Sequence, residues 1–340
     1  TRYPGLQLMK TAIVILNWNG KKLLQEFLPS VIKHSAHLAS IYVADNASTD
    51  ASVSFIQAEF PQVKIIQNTS NGGYAKGYND ALQHLEEELF ILMNSDIETT
   101  PGWLEPMIKA FESDKNLSAA QPKLLDLKKK THFEYAGAAG GFLDSLGYPF
   151  CRGRIFDTCE KDTGQYNDTL EIFWASGACL AVRKSVFWEA GALDENFFAH
   201  QEEIDLCWRI KNLGYSIKYL GASAVYHLGG ATLEQMNPKK TYLNFRNNLM
   251  LLLKNVAGFK VYPILFTRMC LDGIAAFKFL AEGKPKHFTA VLQAHFNFYA
   301  QTPKLLKIRS HTAGNRPYAK VKSIVWAYFI RQKKHYTDLF

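Results

Sequence analysis

Residues 11–20 read TAIVILNWNG: an apolar, β-branched run that ends abruptly in Asn17-Trp18-Asn19-Gly20. Six such residues in a row describe a strand buried on both faces, as in a parallel sheet. Residues 21–34 then place Leu23, Leu24, Phe27, Leu28, Val31 and Ile32 at helical spacing. The beat repeats three times. A strand at 41–44 leads through the helix-capping run Asn46-Ala-Ser-Thr-Asp50 into a helix reaching Phe60. A third strand at 63–67, a helix at 74–85 and a fourth strand at 89–93 follow. This βαβαβαβ order predicts an α/β fold with a mainly parallel sheet.

Each strand ends in polar residues: Asn17, then Asp45 and Asn46, then Asn68, then Asn94-Ser95-Asp96. Open parallel sheets bind ligands outside the carboxyl ends of their strands, so these loops describe a polar crevice bearing carboxylates. The plainer alternative is turn chemistry, because strand-to-helix connections favour Asn, Asp and Ser in any case.

The remaining sequence is less regular. Residues 137–141 (GAAGG) and 144–168 read as loops, and strand-like pieces at 171–174 and 179–182 flank Ser176-Gly177. Helical spacing returns at 202–213, stopped by Gly214, before a strand from Ser216 to Leu220. Beyond about 231 the texture becomes helical, with Lys and Arg between aromatic and aliphatic residues. Along 261–281, Arg268, Asp272 and Lys278 share one arc and the rest is apolar. Three segments are expected: residues 1–10 as a leader or cloning remnant, a catalytic domain at 11–230, and a basic helical region at 231–340.

At 340 residues, with 47% hydrophobic and 21% charged side chains, the chain is neither disordered nor a disulfide scaffold. Its net charge of +8 divides sharply: residues 231–340 carry 18 Lys/Arg against 4 Asp/Glu, a net of +14, leaving −6 for the first 230. Five cysteines without a CxxC pair disfavour a zinc ribbon and suit a reducing cytoplasm. No apolar run is long enough for a clean membrane span.

The first turn has no GxGxxG, and no GxxxxGK[ST] loop exists, so phosphate must be bound in another way. Asp96, at the end of a buried strand, suits Mg²⁺ or Mn²⁺ shared with substrate phosphates; a helix N-cap is the structural alternative. At this point the motifs converge. Leu16-Asn-Trp-Asn-Gly20, Val43-Ala-Asp-Asn-Ala-Ser-Thr-Asp50, Asn71-Gly-Gly-Tyr-Ala-Lys-Gly-Tyr-Asn79 and Leu92-Met-Asn-Ser-Asp96 resemble, in that order, glycosyltransferase family 2. Gly177-Ala-Cys-Leu-Ala-Val-Arg183, Phe187, Gly191, Leu193-Asp-Glu195 and Glu202-Glu-Ile-Asp-Leu-Cys-Trp-Arg209 resemble its rhamnosyltransferase-like branch.

The resemblance implies a GT-A fold and inverting transfer from a nucleotide-sugar, dTDP- or UDP-linked, with dTDP-rhamnose suggested by the branch. By the same resemblance, Asp45 recognises the pyrimidine ring, with an Asx-turn as the structural alternative. Asn17, Asn46, Asn71, Gly72, Gly73, Tyr74, Asn79, Asn94 and Ser95 line the nucleotide-sugar side. Asp96 and His227 hold the metal, although the family's usual first metal-motif Asp is Asn94 here. Trp174, Ser176 and Gly177 match the acceptor side, with core packing the alternative for the tryptophan. Arg246, before Asn247, matches an element assigned to diphosphate or acceptor contact.

The base is expected within His200-Gln-Glu-Glu-Ile-Asp205. The family's base position holds Glu203, with Glu202 the runner-up. On a helix Glu203 shares a face with Leu206, Cys207 and Ile210, where burial raises a carboxyl pKa. Asp205 lies opposite, spaced for an i,i+4 ion pair with Arg209.

Two other classes compete. A sugar nucleotidyltransferase needs a Gly-rich basic loop after the first strand, which residues 17–20 lack. The other is a non-catalytic carbohydrate- or membrane-binding protein that kept the same fold. The basic C-terminal third carries no nucleic-acid-binding signature, and its aromatic-rich helices suit peripheral binding to an anionic membrane. A saccharide or lipid-diphosphate acceptor for cell-surface polysaccharide, met at the inner face of the cell membrane, agrees with that charge.

Overall fold

The computed structural model describes residues 9–229 and 237–340. Residues 1–8 of the leader expected at 1–10, and the division at 230/231, lie outside the described residues, whereas Met9 is buried with its N–H on Glu112 Oε1 at 2.9 Å. β1 (Thr11–Asn17), α1 (Lys21–Ser35), β2 (Ser40–Asp45), α2 (Ser52–Glu59), β3 (Lys64–Gln67), α3 (Gly73–Leu82) and β4 (Leu89–Asn94) reproduce the predicted alternation. β5 (Ile97–Thr99), α4 (Leu104–Ser113) and β6 (Leu117–Asp126) continue it.

Residues 127–178 form an excursion containing β7 (Gly141–Asp144), β8 (Pro149–Cys151), β9 (Arg154–Ile155), β10 (Thr158–Cys159) and β11 (Thr169–Glu171). The stretch expected as loop therefore carries the short strands of a small second sheet, β7 to β10. The chain re-enters the main sheet as β12 (Cys179–Arg183), followed by α5 (Lys184–Glu189), α6 (Glu202–Leu213) and β13 (Ser216–His227).

The main sheet runs β11-β13-β6-β12-β4-β1-β2-β3, with β5 on β13. β3, β2, β1 and β4 are parallel as expected, but β12 is antiparallel to both β4 and β6, making the whole sheet mixed. The reason is geometric. β6 leaves at the carboxyl edge and the excursion returns at the same edge, so the re-entering strand must run backwards. Ala178, just before β12, consequently sits beside the end of β4, where Asn94 N donates to its carbonyl at 3.0 Å.

β1 alternates as a strand buried on both faces should. Ala12 and Val14 join Tyr78 and Leu82 in one core, while Ile13 and Ile15 join Leu24, Leu28 and Met107 in the other. The C-terminal third is helical, with α7 (Pro238–Asn255), α8 (Val261–Ala281) and α9 (Pro285–Thr312). It is nevertheless woven into the catalytic body. β14 (Ala319–Val321) pairs with β7, and α7 is buried from Arg246 to Asn255, including Arg246, Asn247, Asn248, Lys254 and Asn255.

Candidate active site

The polar residues beyond β1 and β2 interlock. Asn17 Nδ2 donates to Asp45 Oδ1 at 2.9 Å and to Ser48 Oγ at 3.1 Å, and Ser48 N donates to Asp45 Oδ2 at 2.9 Å. Asp45 thus caps the N–H three residues on, one residue beyond an Asx-turn. Each carboxylate oxygen still has a lone pair for a ligand N–H, and the turn fixes where that lone pair points. Asp50, by contrast, accepts from Ser52 N at 3.0 Å and Lys21 N at 3.2 Å, serving two helix starts.

Asn46 fastens the next loop. Its Nδ2 donates to Asn71 Oδ1 and Gly73 O, both at 3.0 Å, while its Oδ1 accepts from Asn68 Nδ2 at 3.0 Å. Gly72 is the N-cap of α3, and Gly73 has φ +84°. A Cβ on Gly73 would lie 2.7 Å from Phe198 O, which also accepts from Tyr74 N at 3.0 Å. The glycine is therefore required by both conformation and space, because the donor loop rests on the loop before α6. Asn79 departs from its expected role. Its amide clamps the Leu193 backbone, donating at 2.8 Å and accepting at 3.1 Å, so it ties α3 to this second loop.

That second loop is strained. Phe198, His200 and Gln201 have φ of 65°, 70° and 71°, a left-handed conformation costly for side chains of this size. α7 holds it. Asn247 Nδ2 donates to the carbonyls of Phe197, Ala199 and His200 at 3.1, 2.9 and 2.7 Å. Arg246 donates to the carbonyls of Asn196 and Phe197 at 3.1 and 2.9 Å. Arg246, expected on the diphosphate or acceptor, is instead buried and spent on backbone carbonyls.

α6 begins where this loop ends. Glu202 is 4% exposed, Glu203 is half-buried, and the Oε2 of each has no partner among the described residues. Burial raises both carboxyls against the pull of backbone N–H groups at the helix start. Glu203 reaches about 7, and Glu202 rises well above the ordinary range, with the Glu203 charge adding to its shift. Asp205 is the opposite case. Burial opposes its charge, but Lys254 and Arg209 overcome that and hold it at about 2. It pairs with Arg209 at 2.8 Å and Lys254 at 2.9 Å, and Asn255 donates to it at 2.8 Å. Asp205 therefore anchors α6 to α7 and is not available as a base.

The acceptor-side residues divide. Trp174 is 2% exposed, donates from Nε1 to Phe142 O at 3.0 Å and covers Gly141, so it is core and has no face for a sugar. Ser176 is buried, with its N–H on Gln121 Oε1 at 2.9 Å and its Oγ accepting from Ala178 N at 3.2 Å. Gly177 O accepts from Tyr74 Oη at 2.7 Å, and a Cβ on Gly177 would lie 3.7 Å from Glu203 Cβ. Tyr74, Gly177 and Glu203 thus meet at one point.

Across the cleft, His227 Nε2 lies 3.1 Å from Asp96 Oδ1 and 3.3 Å from Asn94 Nδ2. Its Nδ1 lies 3.3 Å from Glu134 Oε1. Burial opposes the imidazolium, yet the two carboxylates raise it to about 10. A cation between Asp96 and Nε2 would take the place of that proton. Glu134 is the carboxylate beside the remaining N–H, close but not aligned to accept from it here, and a small turn of either side chain would give the usual support of a metal-bound histidine. No group of three His, Cys, Asp or Glu among the described residues forms a complete cage. Two protein donors with vacancies for phosphate oxygens fit a diphosphate-bound Mg²⁺ or Mn²⁺. Ser95 lies half-buried between Asn94 and Asp96.

The family model described as Glycosyl transferase family 2 matches residues 12–191, more than half of the chain. The chain belongs to glycosyltransferase family 2. The N-acetylglucosaminyl-diphospho-decaprenol L-rhamnosyltransferase of Mycobacterium tuberculosis is 25% identical over 233 residues, covering 63% of this chain and 75% of that one. The crystal structure of GalNAc-T7 with UDP, GalNAc and Mn²⁺ superposes with a TM-score of 0.58 at 17% identity, over 90% of this chain and 58% of that chain. The S. aureus TarS 1-349 complex with UDP-GlcNAc gives 0.54 at 16% identity, over 96% and 93%. The fold is GT-A, and the chain is a glycosyltransferase with rhamnosyltransferase-like relatives.

Glu134, Asn68, His200 and Asn247 also border this cleft; the sequence marked Asn68 at a strand end, His200 in the stretch before Glu202 and Asn247 beside Arg246, but not Glu134. Burial pushes His200 down to about 4, so the ring is neutral, and its Nε2 has no partner among the described residues. Glu134 lies in a stretch without periodicity.

Proposed function

We propose that the chain is an inverting glycosyltransferase with Glu203 as its base. It moves a sugar from a dTDP- or UDP-sugar, with dTDP-rhamnose favoured by its relatives, to a saccharide or lipid-diphosphate-linked acceptor. The observation that carries this reading is the unpartnered Glu203 carboxyl beside Tyr74 and Gly177, where the donor loop meets α6. A carboxyl near pH 7 in pKa is suited to take a hydroxyl proton at neutral pH.

The step balances simply. Glu203 accepts the acceptor hydroxyl proton as the oxygen bonds to the anomeric carbon. The bond from that carbon to the diphosphate breaks with its electron pair, on the opposite face of the sugar. Asp45 and Asn71 orient the nucleoside, and Asp96 with His227 would hold Mg²⁺ or Mn²⁺. When bound, the metal neutralises the charge of the departing diphosphate. Glu202 shares the buried pocket and keeps one proton on the pair, which prevents two adjacent carboxylate charges.

The mycobacterial relative's name includes a decaprenol diphosphate, which favours a lipid-linked acceptor for cell-surface polysaccharide. Cytoplasmic placement against the inner face of the membrane suits such an acceptor. Among the described residues no helix is long and apolar enough to cross a membrane.

The test uses a panel of nucleotide-sugars with and without Mn²⁺, scored by thermal shift, followed by NMR of the product formed from the stabilising donor. The expected product has the anomeric configuration opposite to the donor. Retention of configuration, or stabilisation by no nucleotide diphosphate, would overturn the reading.

A further inference from the structure

α8 buries an ion pair beside Val261, Leu265 and Ala276 and leaves large apolar side chains exposed. Two of its three ionic residues face the protein, Arg268 and Asp272 being 6% and 1% exposed with Arg268 Nε donating to Asp272 Oδ1 at 3.0 Å, while Lys278 near its end is exposed. Asp272 Oδ2 lies 3.2 Å from His295 Nε2 on α9, and the Arg268 guanidinium sits 3.5 Å from the centre of the Tyr148 ring. Meanwhile Phe266, Ile274 and Phe277 are 70%, 67% and 66% exposed on the opposite side. A helix in water turns its apolar stripe to the core, so this orientation points to an apolar medium outside.

The exposed stripe is continuous with its neighbours. Tyr299 of α9 reaches Met269 of α8, oxygen to sulfur 3.2 Å, and Phe277 meets Phe288 at 5.7 Å between ring centres. Phe296 of α9 is 73% exposed on the same hairpin. Lys278 lies 5.8 Å from the Phe329 ring, which brings exposed Trp326 and Ile330 to the same end.

The charge around this apolar face is mainly positive, although Glu282 in the α8–α9 turn pairs with Lys284 at 2.7 Å. Between Glu282 and Asp338 the sequence holds 11 Lys/Arg and no carboxylate. A second copy of the chain would set one basic rim against another, which opposes pairing. An anionic lipid surface supplies both the apolar medium and the opposite charge.

We infer that the outer face of the α8–α9 hairpin, with the 326–330 turn, inserts into the headgroup layer of an anionic phospholipid membrane and lies in its plane. α9 also borders the catalytic loop, through Lys304 Nζ donating to Asn196 Oδ1 at 2.6 Å. Docking would therefore set the active site beside lipid-linked acceptors. The inference rests on the proposed transfer only for that last point.

The test is co-sedimentation of the full chain with phosphatidylcholine vesicles and with vesicles containing about 30% phosphatidylglycerol, an anionic surface. Wild type should bind the anionic vesicles at least tenfold more tightly. Phe266→Ser with Phe296→Ser should lose about tenfold on both, and Lys284→Glu with Lys286→Glu should lose the anionic preference. Sedimentation velocity and donor-dependent thermal shift on the same variants separate the causes. Unchanged vesicle binding by the aromatic variant would overturn the inference. So would a wild-type dimer that this variant dissolves, because the face would then cover a second copy. A preserved donor shift in every variant leaves the transferase reading standing whichever way the vesicles respond.

Discussion

Replacing Glu203 by glutamine should make the protein more stable, and the gain should grow with pH. In the folded state burial raises this carboxyl from the ordinary glutamate value of 4.5 to about 7. A raised acid contributes its stability below the unfolded value and loses it as pH climbs through the folded one. Wild type therefore loses stability between about pH 4.5 and pH 7, and an amide of the same shape does not. At about 1.4 kcal/mol per pKa unit, the difference approaches roughly 3 kcal/mol by pH 8 and is under about 1 kcal/mol at pH 5. For a chain of this size, 3 kcal/mol corresponds to about 4 °C in Tm. Neutralising Glu203 also relieves Glu202, which acts in the same direction. Urea denaturation of both proteins at pH 5 and pH 8 reads the effect directly. A gap of equal size at both pH values, or a variant less stable than wild type at pH 8, would refute the reasoning.

Other substitutions probe the supports of the site. Asn247→Ala removes the donor shared by three carbonyls of the left-handed loop. It should cost about 2–4 kcal/mol in denaturation and lower kcat more than it raises donor KM. Glu134→Gln leaves the Asp96–His227 pair in place but weakens its support, so Mn²⁺ affinity by calorimetry should fall about 10- to 100-fold. Trp174→Ala should cost about 3–5 kcal/mol in stability, with acceptor KM measured at low temperature nearly unchanged, because the ring is core.

The polar cluster at the carboxyl edge of the sheet was legible in the sequence because the parallel strands end there. Asn17, Asp45, Asn46 and Asp96 follow β1, β2 and β4 as the apolar runs require. α6 was equally legible, with Gly214 as its left-handed stop. β6 was not. Its LSAAQPKLLD contains polar residues that the fold satisfies from afar: Gln121 bonds Gly137 O and Ser176 N, and Lys123 meets Asp162 at 2.8 Å. Periodicity cannot anticipate such partners. The same blindness affected Arg246, whose fork serves backbone carbonyls as readily as phosphates. On α8 the sequence placed Arg268, Asp272 and Lys278 together, but not the direction they face. Arg268 and Asp272 turn inward only because α9 brings His295 and the β7–β8 turn brings Tyr148.

The central claim is that Glu203 takes the proton while the rest of the site holds the donor. Donor affinity by calorimetry and turnover by product formation, measured together on Glu203→Gln and Glu202→Gln, test it most directly. Glu203→Gln should keep donor Kd within about twofold while kcat falls about 10²- to 10⁴-fold, and Glu202→Gln should fall less. Near-wild-type kcat in Glu203→Gln would contradict the account.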